Sequence, residues 1–214
     1  MTLSNPSSPA PSGLVARAKA ILVSPASAWD RIDAEPATIG GLYLGYAMPL
    51  AAIPTLADLV HGVVFGYGGF GHVLRASVPD LLAQAVLGYG LALASVYVMA
   101  LVVDGLVGSF GGHGSLTQAM KVVVYASTPI WLFGLFQASP ILWLVLLSVS
   151  IGLVYSGYLL FNGLPRVMKV PGEQALGYSA VIVLAIIILK AVAGLIEASM
   201  AGGGSLGFGA SPFR

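Results

Sequence analysis

The chain contains no cysteine and very little charge. Without a thiol there is no disulfide framework, no Cys-ligated metal site and no cysteine nucleophile. Asp, Glu, Lys and Arg make up 8% of the 214 residues, against about 25% in an ordinary soluble domain. So few charges cannot build the polar shell that a soluble protein of this length needs. The net charge of +1 gives neither a basic field for nucleic acid nor an acidic field for cationic partners. Residues 1–13 hold no Lys or Arg, so they lack the charged start of a secretory signal and read as a disordered, retained tail. Thr2 and the missing C-terminal Cys remove the lipidation signatures as well.

What is present is apolar. Hydrophobic residues are 57% of the chain and the mean hydropathy is +0.94. They fall in runs of about 20 or more, the length of helix that crosses roughly 30 Å of hydrocarbon. The pattern predicts an all-α polytopic membrane protein, a five-helix membrane domain over residues 14–200. Its spans cover residues 39–65, 81–107, 117–137, 141–161 and 176–200. Glycine-rich loops (66–79 and 108–114), a tight turn at 138–140 and a polar connector at 162–174 join them, and residues 201–214 read as a second disordered tail. Neither glycine-rich loop is followed by the Lys-Ser/Thr of a phosphate-binding loop.

Ahead of the first span, residues 14–23 are too short to cross a bilayer. Ser24 and Pro25 then start a second short helix, as N-cap and first helical residue. Both pieces read as interfacial helices, with Trp29 as a membrane-interface anchor at headgroup depth. Orientation follows from the basic residues. With the N-terminus inside, Arg17, Lys19, Arg31, Lys121, Arg166 and Lys169 are cytoplasmic, and only Arg75 and Arg214 are outside. The chain is therefore expected to have a cytoplasmic N-terminus and an external C-terminus.

Three groups of residues resemble a known family. The fourth connector and its flanks read Tyr158-Leu-Leu-Phe-Asn-Gly-Leu-Pro-Arg-Val-Met-Lys-Val-Pro171; the third span holds Tyr125-Ala-Ser-Thr-Pro129, after Gly111-Gly112 and Gln118; and Ser24-Pro25, Trp29, Ile32 and Glu35-Pro36 stand near the start. In order and five-span layout they resemble the Yip domain family of Ypt/Rab-interacting-type membrane proteins, most of all its bacterial members. The resemblance implies a five-helix domain in a bacterial inner (plasma) membrane. Eukaryotic members act in vesicle traffic, membrane shaping and Rab recruitment, and carry a long acidic cytosolic N-terminal region of a kind this sequence does not have. The family supplies no catalytic motif to carry over. The expected function is a non-enzymatic scaffold that organises membrane lipid or partner proteins, with no cofactor.

The alternative is a small transporter or channel, and it rests on charges inside spans. Lys190 lies near mid-membrane, where a charge costs at least about 2.5–3.5 kcal/mol and needs a partner or water. Asp58 lies about 7 Å from it in depth, at about 1.5 Å per residue. The two are expected to form an intramembrane ion pair, structural or transporting. His61 follows Asp58 by three residues, but two ligands fixed by spacing do not make a metal site, and none is expected. Asp104, Lys121 and Glu197 read as ordinary boundary charges, the first two placed so that they can pair near a membrane surface. Pro49, Pro54 and Pro129 should kink their spans. Two small-residue faces, Gly41 with Gly45 and Ser148 with Gly152 and Ser156, are expected to pack helices closely or to form a homo-oligomer interface.

Overall fold

The structure is a computed structural model and describes residues 13–69, 72–74 and 76–201. The two expected disordered tails lie almost wholly outside the described residues, as do Arg75 and Arg214. Two short helices, α1 (Leu14–Val23) and α2 (Pro25–Ala34), precede five long helical segments. Pro25 takes the first turn of α2 and Ser24 the cap position, but the Ser24 hydroxyl makes no capping bond.

The first span begins as α3 (Ile39–Leu42), capped by Thr38, whose hydroxyl accepts from the Gly41 N–H at 3.1 Å. A π turn (Tyr43–Ala47) follows and leads into α4 (Met48–Val64). The turn ends where Pro49 has no N–H to bond back along the helix, and the Met48 N–H reaches the Tyr43 carbonyl instead. Where a flexible glycine-rich loop was expected, strands β1 (Tyr67–Gly69) and β2 (His72–Leu74) pair antiparallel. The second span, α5 (Val78–Leu106), starts on a serine cap: Ser77 accepts from the Asp80 N–H, and its hydroxyl donates to the Asp80 carboxylate at 2.5 Å. A 3-10 turn (Val107–Phe110) closes it.

The third span is broken in two. Ser115 caps α6 (Leu116–Ala126), Ser127 interrupts it, and Pro129 sits in the first turn of α7 (Thr128–Phe133). Here proline opens a new helix where its missing N–H costs nothing. A 3-10 turn (Gly134–Ala138) ends the span. The fourth span, α8 (Leu142–Val167), runs through Pro165 and Arg166. The expected 162–174 connector is thus mostly helix, and only residues 168–171 separate α8 from α9 (Gly172–Ala201). All five long segments are long and apolar enough to cross a membrane.

The third span is the post of the bundle. It touches α4, α5 and α8, and α9 packs on the outside against α5 and α8. On α8, the face carrying Ser148, Gly152 and Ser156 is buried. A side chain added at Gly152 would stand 3.2 Å from the Ile130 Cα, so the glycine lets the two backbones approach. Gly41 and Gly45 are exposed and pack no helix. They border an open groove with Arg17, Tyr46 and Tyr125.

Candidate functional site

At one end of the bundle, α1 and α2 fold onto the ends of the spans. Lys121 holds them there. Its ammonium is buried and donates to the carbonyls of Ile32 (2.7 Å), Asp33 (3.3 Å) and Glu35 (2.5 Å) at the C-terminal end of α2. Those carbonyls have no partner within their own helix, and the negative end of the helix dipole favours a cation. The expected pairing of Lys121 with Asp104 is therefore not made: main-chain oxygens satisfy the charge. Three ion pairs surround this contact: Arg17 with Glu35 at 2.9 Å, Arg166 with Asp30 at 3.3 Å, and Lys169 with Asp33 at 2.5 Å. Lys169 reaches Asp33 from a left-handed backbone conformation, φ 54°. The pairs are partly exposed, so each adds little stability and chiefly fixes orientation.

Tyr125 gathers the rest. Its hydroxyl accepts from Arg17 at 2.8 Å, its ring lies 4.5 Å from that of Tyr46, and Trp29 meets it edge-on at 6.4 Å. Thr128 donates to the Tyr125 carbonyl at 2.7 Å and shares a 2.9 Å hydrogen bond with Tyr46. Trp29 itself is 0% exposed. This corrects its reading as a membrane-interface anchor among the headgroups: the ring is seated on α8, where Gly163 leaves room for it. A variant keeping Trp29 alone, with Trp131 and Trp143 changed to Phe, should resist both aqueous and lipid-borne quenchers. A Trp143-only variant, whose ring is 79% exposed, should be quenched from the lipid. Equal quenching of the two would contradict the seating of Trp29.

At the opposite end a cavity of about 830 Å³ opens among α4, α5, α7 and α9. Asp58 and Lys190 both line it, but they do not pair with each other. Asp58 instead accepts from the Tyr67 hydroxyl at 2.9 Å, so β1 closes over it. Burial, and then the Asp58 carboxylate beside it, hold the Tyr67 phenol well above its ordinary range, so it remains a proton donor. Asp80 and Glu197 are on the same wall. The Nδ1 of His61 is buried without a hydrogen-bond partner, and no group of three metal-ligating side chains forms among the described residues.

A broken central span, four helical spans around it and a clamped pair of short helices define a polytopic α-helical membrane protein. The Yip1 domain model matches residues 19–193. The chain belongs to the Yip1-domain family. It is similar to the inner membrane protein YohC of Escherichia coli K12, 32% identical over 150 residues that cover 70% of this chain and 77% of that protein. The YohC of E. coli O6:H1, strain CFT073, gives the same figures. No solved structure matches.

The residues that carry the family resemblance meet at the α1–α2 end. Trp29 packs on Gly163, Tyr125 receives Arg17, and Arg166 and Lys169 reach Asp30 and Asp33. Arg17, Lys121 and Tyr67 were not singled out as site residues. The partners of Arg17 and Lys121 are residues far away in sequence or main-chain carbonyls, and neither leaves a local pattern to read; Tyr67 bonds Asp58 only nine residues back, through a strand pair that the glycine-rich loop did not announce.

Proposed function

We propose that this protein is a non-enzymatic scaffold of the bacterial inner membrane, which organises lipid or partner proteins at the membrane surface through the α1–α2 platform. One observation carries the reading: the platform is clamped to the spans by Lys121 and by the Arg166–Asp30 and Lys169–Asp33 ion pairs, yet it presents an apolar edge. Val15 and Val23, two turns apart on α1, are 78% and 70% exposed, with Lys19 exposed between them. An interfacial helix with such an edge dips into the headgroup layer and leaves its basic residue at the surface. In vesicles, Val15→Asp with Val23→Asp should leave the fold intact and abolish the slowing of nearby lipid diffusion that the unaltered protein produces. Equal lipid mobility around both proteins would remove the scaffold reading.

The platform is proposed to face the cytoplasm. A reporter inserted between Met168 and Pro171 should then read cytoplasmic and one fused after Arg214 external. The same side for both would overturn an odd number of crossings. A transporter is the second reading, favoured by the presence of Asp58 and Lys190 on one cavity. Proteoliposomes that dissipate a proton or solute gradient, and stop doing so with Lys190→Met, would favour it over the scaffold.

A further inference from the structure

The cavity at the hairpin end continues inward. A narrower apolar space of about 80 Å³ lies among α5, α6, α7, α8 and α9, and Ala92, Ile130, Trp131 and Lys190 border both. The change in chemistry is graded along α9. Ile182 and Ile186 line the apolar space, Lys190 stands at the junction, and Glu197 lines the polar cavity. The spacing places them about 6 Å and about 10 Å from Lys190 along the axis, Ile186 inward and Glu197 outward. Around the mouth Asp58 and Asp80 add two more carboxylates. Among the described residues Lys190 enters no ion pair. Ser156, 6% exposed, lines the apolar space with its hydroxyl unbonded. A buried hydroxyl without a partner is costly, and here it adjoins unfilled space.

The order from inside to outside is apolar wall with one free hydroxyl, then ammonium, then carboxylates. A phospholipid with an ethanolamine headgroup has the complementary order: acyl chain and ester carbonyl, phosphate, primary ammonium. We propose that this paired cavity is a phosphatidylethanolamine site. Lys190 binds the phosphate, Ser156 donates to an acyl ester carbonyl, and Asp58, Asp80 and Glu197 receive the ammonium. Phosphatidylglycerol meets the same lysine with its phosphate but brings only an uncharged glycerol to the carboxylates, which are left without a cation, and the missing ion pairing selects against it.

The test is native mass spectrometry of the full chain in mild detergent, with phosphatidylethanolamine, phosphatidylglycerol or phosphatidylcholine added singly. One phosphatidylethanolamine should be retained per chain, at least about tenfold more tightly than phosphatidylglycerol. Lys190→Met and Ser156→Ala should each weaken its retention, and Arg31→Met, on α2 at the far end, should not. Asp58→Asn with Glu197→Gln should erase the preference over phosphatidylglycerol while keeping phosphate binding. A phosphatidylethanolamine with a photoreactive acyl chain should label the α5 and α9 segments that line the cavity. Equal retention of the two lipids by the unaltered protein, or labelling spread evenly over the lipid-facing side of α8, would overturn the site. None of these variants touches the Val15 and Val23 edge, so the scaffold reading is judged separately.

Discussion

Lys121→Met should lower the thermal midpoint of the purified protein by several degrees and expose the C-terminal end of α2 to trypsin at Arg31. Methionine keeps the apolar stem and removes three donated hydrogen bonds. A buried acceptor left bare costs about 1–3 kcal/mol, and the Ile32 carbonyl is the buried one of the three. Lys121→Arg should recover only part of the loss, because a planar guanidinium cannot aim its donors at three carbonyls that converge on one point. Limited proteolysis beside a melting curve reads both effects. An unchanged cleavage pattern in Lys121→Met would show that the ion pairs alone hold the platform.

Gly163→Leu should be the second large effect. A Cβ at this position would stand 2.7 Å from Trp29 Cζ2 and 2.8 Å from its Cε2, and the indole is enclosed on every side. Overpacking of this kind costs about 1–3 kcal/mol or more. Trp29→Ala alone should also destabilise, by about 3–5 kcal/mol, through the cavity it leaves. The double variant should be markedly more stable than the sum of the two losses, since each change relieves the other. Strictly additive losses in a denaturation series would mean that the ring does not sit on Gly163.

These two contacts also show what the sequence disclosed and what it withheld. The spans were legible because an apolar run of that length has few other uses. Which side of each helix faces protein was not. Lipid is as apolar as a protein interior, so hydrophobicity marks no inner face. Trp29 is the sharpest case, since a tryptophan near a membrane surface suits the headgroup layer and a buried seat equally well. Charges were conspicuous by their rarity, but Lys121 is satisfied by carbonyls, which carry no residue signature. For Asp58 and Lys190, depth was readable from position along each helix and put them in one cavity. The angle around each helix axis was not readable, and it decides whether two residues at similar depth touch. The packing stripe on α8 is buried and the Gly41–Gly45 stripe is open, although both have the same small-residue spacing. Only the neighbouring helix distinguishes them.

The burial of the third span bears on how the protein is made. In its most apolar window 67% of residues are buried, against 11% in the fifth span, and its hydropathy is 1.5 against 2.7. A segment of low hydropathy that also carries Lys121 enters lipid unaided only at a cost. It emerges from the ribosome after the first two spans and before the fourth. Its stable insertion therefore depends on neighbours already in the membrane and on one still to come, and the fifth span can enter alone. Biogenesis should stall at the third span when either α4 or α8 is replaced by an unrelated hydrophobic helix, and should pass α9 unhindered.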